Sequence, residues 1–217
     1  MKIVLNILKA FLINFLFIGI TQAATQCPSI SPQSAGDSPP QQVQAIIDDV
    51  VCSFIDLQNQ NNGTFQSTLN LTKKKILPYI DIEHSTELAL GNHWSMLDTK
   101  QRKIFERDIK NSLINDYVGI LSEIREWQYL NVLVDQNFIQ NNNKARVKIS
   151  VSLDNDDANA TVTLKLINTD RWKIYDLEYQ SVSILDIEKI GYDSKIKRQG
   201  IEKLVEKLLS NFQTHLN

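Results

Sequence analysis

Between Trp172 and Leu208 the spacing of apolar residues changes once. Trp172, Ile174, Tyr175, Leu177, Tyr179, Val182 and Ile184 form a β-rich run. Ile201, Leu204, Val205, Leu208 and Phe212 then fall on one stripe with a period near 3.6. A strand that hands over directly to helices needs an apolar sheet face for them to cover, and the upstream segments must supply it.

They do so in two blocks. In the first, Ser38 offers an N-cap and Pro39 a first helical residue, and Val43, Ile46, Ile47, Val50, Val51, Phe54 and Ile55 carry a helix to about Leu57. A second helix is predicted over Gln66 to Leu77, before Pro78, and a third from Asp81 to Gly91. Asp98 and Gln101 form a capping-box pair ahead of Ile104, Phe105, Ile109, Leu113, Tyr117, Ile120, Leu121 and Ile124. That helix, about 39 Å long at 1.5 Å per residue, can span a whole sheet.

The second block has period two. Gln128 to Asp135 reads as a strand; Asn141 to Asn143 turn the chain; Ala145, Val147, Ile149, Val151 and Leu153 alternate with polar residues. The turn Asp154 to Asn159 leads to Val162, Leu164 and Leu166, and Asn168 to Asp170 turn into the Trp172 strand. Short turns between alternating strands predict an antiparallel meander with one apolar face. The expected architecture is α+β, with N-terminal helices and a C-terminal helical segment packed on a curved sheet of about four strands. One domain over 41–217 accounts for the pattern. Such an arrangement is compatible with a filled core and with an apolar pocket.

Composition changes this picture mainly at the N-terminus. Met1 to Ala23 has Lys2 and Lys9, an apolar run from Ala10 to Ile20, and Thr21-Gln22-Ala23 before Ala24, as an export signal does. The run is far short of the roughly 20 residues that span a bilayer. Residues 24–40, rich in Ser, Pro and Gln, read as a flexible lead-in. Export places Cys27 and Cys52 where pairing is allowed; a disulfide and two separate thiols both fit. Without the signal the chain carries 21 basic and 25 acidic residues, which argues against nucleic acid as a partner.

Candidate chemistry is scarce. There is no GxSxG, HExxH or CxxC, only seven glycines, and three scattered histidines, His84, His93 and His215, so neither a catalytic set nor a metal site is expected. Lys73 to Lys75 fan around a helix as a solvated surface does. Asn62, Asn70 and Asn159 each head an N-x-Thr triplet, which chance explains in so Asn-rich a chain. Asp176 is the one carboxylate with an enzymatic alternative, as a base desolvated in an apolar pocket of an exported enzyme with an NTF2-like cone. A ligand-free adaptor using its helix faces is a third reading.

Several segments in order resemble one family: LPYID at Leu77 to Asp81, ALGNHW at Ala89 to Trp94, the Gln101 to Phe105 run with Tyr117 beyond it, and WKIYDLEYQSVSI at Trp172 to Ile184 followed by Ile196, Gly200, Ile201 and Leu204. From about Val43 to Leu209 the chain is similar to the MlaC, or toluene-tolerance, family. Ser181 stands where a glycine is usual, and Ile187, Glu188 and Lys189 stand where many members have Asn-Tyr-Arg. The resemblance implies a monomeric periplasmic carrier of diacyl phospholipid, without cofactor, that shuttles lipid between an outer-membrane lipoprotein/porin complex and an inner-membrane ABC transporter complex. The residues expected to line its pocket are Phe105, Ile109, Leu113 and Tyr117 on the long helix and Val147, Ile149, Val151, Val162, Leu164 and Leu166 on the sheet. Plain core packing remains an equal reading of each.

Overall fold

The computed structural model describes residues 37–124, 126–153 and 160–214. The expected export signal (1–23), most of the lead-in, Cys27 and hence its pairing with Cys52, the turn at 154–159 and His215 lie outside the described residues. Among those described, four helices precede the sheet: α1 (Pro39–Asn59), α2 (Phe65–Lys75), α3 (Ile82–Leu90) and α4 (Thr99–Glu123). Six strands follow: β1 (Leu130–Val134), β2 (Ile139–Asn141), β3 (Lys144–Leu153), β4 (Ala160–Asn168), β5 (Trp172–Tyr179) and β6 (Val182–Ser183). Two helices close the chain, α5 (Ile184–Gln199) and α6 (Ile201–Thr214). The order is α+β, as the change of period predicts.

Local signals set most boundaries. The Asp98 carboxylate accepts from the Gln101 amide at 2.8 Å while the Gln101 side chain accepts from the Asp98 amide at 3.0 Å, closing the capping box. Asp81 caps α3 by accepting from the His84 amide at 3.0 Å, and Gly91, at φ +51°, ends it. Two expectations are corrected. Ser38 precedes α1 in extended backbone, but its side chain makes no cap bond. The second helix starts one residue earlier, capped by the Thr64 hydroxyl, and stops at Lys75, because Leu77–Tyr79 tighten into a 3-10 turn around Pro78.

All strand pairs are antiparallel, in the order β1-β3-β4-β5-β6 with β2 also on β3. The sheet thus has six strands rather than about four. β1 pairs with Ile149–Leu153 and β2 with Lys144–Arg146, so one interrupted edge runs along β3. β6 folds back on β5 through a two-residue turn in which Gln180 and Ser181 both have positive φ, +49° and +63°. Strands of two and three residues show too few alternations to be read from sequence. β1 begins at Leu130 rather than Gln128 because Trp127–Tyr129 form a 3-10 turn.

Two devices hold the helices to the sheet. Helix α1 is fastened at both ends: Gln42 Nε2 donates to the Trp172 carbonyl at 3.0 Å, and Gln58 accepts from the Trp127 amide at 3.1 Å while Phe54 stacks on the Trp127 ring at 4.3 Å. The other device is a bulge in β5. Lys165 pairs with Asp176 but Leu166 with Ile174, so Tyr175 is extra, and its carbonyl accepts from the Ser85 hydroxyl at 2.8 Å. Next to it the buried Asp176 carboxylate accepts from Lys165 Nζ at 2.7 Å, the Ser183 hydroxyl at 2.7 Å, and the amides of Leu177 and Leu185 at 2.8 and 3.2 Å. Burial alone would lower the Lys165 pKa; its bonds to Asp176 and then Glu178 outweigh this and raise it.

Asp176→Ala removes the nearer of the two carboxylates that hold the Lys165 ammonium and uncaps two amides; a loss of about 3 kcal/mol is expected in urea unfolding. Ser181→Gly relieves a left-handed turn position and is expected to add about 1 kcal/mol, seen as a higher melting temperature.

Candidate functional site

Buried apolar residues gather in three clusters. The first lies among the helices, with Leu90, Phe105, Ile109, Leu113, Leu185, Tyr192, Leu204 and Phe212. The second joins α1 to the sheet through Val43, Val147, Leu164, Leu166 and Trp172, and the third joins α1 to the end of α4 through Val50, Phe54, Tyr79 and Trp127. Where they meet the packing is incomplete. Two hollows at the seam beside α4, one against β5 and the other against the end of α2 and the turn after it, share Ile80, Leu113 and Tyr117, and each has a volume of about 10 Å³, room for one water at most.

The inward face of the sheet is unevenly covered. At one end Ala145, Val147, Leu164, Leu166 and Trp172 are buried under α1. Moving along the same face, Ile149, Val151, Val162 and Leu177 are only half-buried, and Tyr179, paired with Val162, is exposed. The long helix shows the same trend: Phe105, Ile109 and Leu113 are buried, whereas Tyr117, Leu121 and Ile124 are half-buried. At the β1 edge Ile47, Val51, Ile55, Leu130 and Val132 line an open groove of about 330 Å³ with Asp48, Cys52 and Asn131 at its rim. This is at the lower end of the volumes that hold small ligands, about 300–1,000 Å³. Among the described residues the apolar interior is therefore closed at one end and only partly covered at the other.

The residues expected to line a pocket separate accordingly. Leu113 and Tyr117 border the seam hollows; Ile149, Val151 and Val162 lie on the half-covered part of the sheet. Phe105 and Ile109 sit inside the helical cluster, and Val147, Leu164 and Leu166 sit beneath α1. Sequence reasoning missed Ile80 and Leu177, which border the hollow from the loop before α3 and from β5. The apolar alternation of β5 carried a signal for Leu177; none existed for Ile80, which arrives through a bridge to Ile174.

Chemistry at the seam is sparse. Donors on every side occupy both Asp176 oxygens, so this carboxylate anchors structure and has no free lone pair suited to a base. The Tyr117 phenol is pushed up to about 12 by burial, then by the Asp176 and Asp116 carboxylates, and stays neutral at physiological pH. Among the described residues no cluster of His, Cys, Asp and Glu could hold a metal. The arrangement can shelter an apolar group; it has no assembled acid, base or nucleophile.

Comparison with known proteins decides the kinship. Residues 33–210 match the family described as MlaC protein. The chain belongs to the MlaC family. Among relatives of this MlaC-family chain is the intermembrane phospholipid transport system binding protein MlaC of Haemophilus influenzae, 21% identical over 141 residues, which are 64% of this chain and 65% of that protein. A solved structure, the phospholipid-binding protein of Ralstonia solanacearum in complex with a phospholipid, has the same fold with a TM-score of 0.66 at 23% identity. That match covers 81% of this MlaC-family chain and 97% of the other.

A phenol that ionises later in the folded than in the unfolded chain favours the fold below pH 10.0 and loses that contribution as pH rises through about 12. Burial also raises Tyr192, Tyr175 and Tyr79, so spectrophotometric titration should show several late-ionising tyrosines, one fewer in Tyr117→Phe, and that variant should lose less stability over the same alkaline range.

Proposed function

We propose that the protein is a periplasmic phospholipid carrier, a binding protein rather than an enzyme. In this reading it shuttles lipid between an outer-membrane lipoprotein/porin complex and an inner-membrane ABC transporter complex, and so maintains outer-membrane lipid asymmetry. The observation that carries the reading is the apolar surface left half-buried at Ile149, Val151, Val162, Leu177 and Tyr117, the last two bordering hollows in the packing. Leaving so much apolar surface partly wet is unfavourable by about 25 cal/mol per Å², and an apolar guest recovers that energy. The names of the two relatives point to a phospholipid as the guest.

The physics of such a carrier fits these walls. A diacyl lipid crossing water exposes two chains at about 0.8 kcal/mol per methylene, so both must be sheltered. A wall of Val, Ile and Leu offers tails about what a bilayer offers and lets release proceed. Tails begin at the half-covered part of the sheet, against Val151 and Val162. To reach Leu113, and beyond it Phe105, Ile109, Val147, Leu164 and Leu166, they must part α4 from β5, because the seam as it stands admits no more than water. Head groups remain at the wet end, so discrimination among them should be weak, and one chain suffices for one lipid.

Organic-solvent extraction of the purified protein followed by mass spectrometry is expected to recover about one diacyl phospholipid per chain. Val151→Asp, at a half-buried position that tolerates a charge without unfolding, should retain about tenfold less lipid. Protein that is repeatedly isolated empty and refuses added phospholipid would overturn the reading.

A further inference from the structure

Helix α5 is apolar on two opposite sides. Leu185, Tyr192 and Ile196 face the helical cluster, whereas Ile187 and Ile190, one turn apart, are 58% and 70% exposed on the other side. That outward stripe continues at helical spacing through Ser194 to Lys197 and Arg198, all exposed. Neighbours fix α5 from both flanks and leave the stripe uncovered. On one flank Ser112 of α4 donates to Glu188 at 2.8 Å; on the other His93 and Asp193 are 2.9 Å apart, and Lys189 lies against Gly91. Lys195 is drawn towards the Tyr192 ring, 5.2 Å from its nitrogen. Lys197 and Arg198 have no such engagement and make no ion pair among the described residues. Of the acids on this helix, Asp193 and Glu188 are engaged at the flanks, which leaves Asp186 at the start of the stripe.

The stripe adjoins the wet end of the apolar interior. Residues 179–182 form the hairpin immediately before α5, with Tyr179 and Val182 paired and 45% and 53% exposed, and Tyr179 also pairs with Val162 on the inward face. A series of exposed apolar side chains thus runs along the chain from the mouth, through Val182, to Ile187 and Ile190, and ends in two cations. Exposed aliphatic side chains flanked by basic ones on a single helix face match a membrane interface, in which aliphatic groups enter the headgroup boundary and ammonium or guanidinium groups meet phosphate. The chain as a whole carries a formal charge of -2, so general electrostatic attraction does not explain a local cationic end.

We propose that the outward face of α5 docks the protein on the surface of a bilayer containing anionic phospholipid, Ile187 and Ile190 entering the interface while Lys197 and Arg198 hold lipid phosphates, so that the mouth beside Tyr179 rests on the membrane. This deepens the carrier reading and rests on it for its purpose, although docking can be measured without any transfer of lipid.

The test is sedimentation of the purified protein with vesicles of equal parts phosphatidylglycerol and phosphatidylcholine, and with vesicles of phosphatidylcholine alone. Wild-type protein should bind the first and scarcely the second, with an affinity that falls as salt is added. Lys197→Glu/Arg198→Glu should weaken binding about tenfold or more, and Ile187→Asp/Ile190→Asp by a similar factor. All four positions are exposed, so the fold should persist, which circular dichroism checks. Lys73→Glu/Lys74→Glu removes the same charge from exposed positions on α2 and should leave binding unchanged. Wild-type protein that ignores the anionic vesicles overturns the proposal and assigns the stripe to a protein partner; an equal loss in the α2 variant overturns it in favour of unspecific attraction. Phospholipid extracted from the same preparations reports separately on the carrier reading: lipid-loaded protein without docking defeats only the proposal made here, and empty protein defeats the carrier.

Discussion

The bulge at Tyr175 and the buried Asp176 beside it form the joint on which the architecture depends. A regular antiparallel ladder would continue β5 flat and leave its edge for another strand. The extra residue bends the strand and exposes the Tyr175 carbonyl, which Ser85 satisfies from the helical layer. Asp176 then binds Lys165 across the sheet, Ser183 at the end of the hairpin, and the Leu185 amide in the first turn of α5. One carboxylate thus ties the sheet to the helix that follows it, α5. Sheet and helices are held tightly here and by α1 at the Trp172 end, and between those fixed places they need not touch.

The sheet's polar face contributes to the same outcome. Arg146 donates two hydrogen bonds to Glu178, at 3.1 and 2.9 Å, and Lys165 bridges Glu178 and Asp176, so the neighbouring cations of β3 and β4 are both held by the carboxylates of β5. The exposed Arg146–Glu178 pair adds little stability by itself, but cross-strand pairs fix register. A one-residue slip would turn Val151 and Val162 outward and place Lys148 and Thr163 in the interior. The register that keeps the inward face apolar is therefore set partly from the opposite face.

Helical and strand periods were legible in the sequence because each rests on many residues. Leu204, Val205, Leu208 and Phe212 are buried together on α6 as their spacing requires, and Asp98 and Gln101 cap α4 as their separation requires. Coverage was not legible. Phe105 and Tyr117 share one stripe of one helix, and Val147 and Val151 share one face of one strand, yet the first of each pair is buried and the second is not. Period says which way a residue points; what lies opposite depends on where α1 crosses, and that is set by Gln42 reaching Trp172 and Gln58 reaching Trp127, distant in the chain. Asp176 was ambiguous for the same reason, since its role needs Lys165 and Ser183 brought to it by the sheet.

A carrier must hold its cargo and also lose it, and the three-cluster interior separates those requirements. The helical cluster and the cluster under α1 are each packed on their own account, so the fold does not need the hollow to be filled. The seam between them carries the Asp176 carboxylate, already satisfied by Lys165, Ser183 and two amides, and the Tyr117 phenol, which stays neutral, so neither needs to gain or lose a partner as tails come and go. Parting α4 from β5 there exposes aliphatic surface, and an acyl chain restores comparable contacts at little net change in free energy. A polar seam would bind one head group tightly and resist release; a fully packed one would admit nothing. In the carrier reading, this weak point in the packing is the place where entry and exit would both be cheapest.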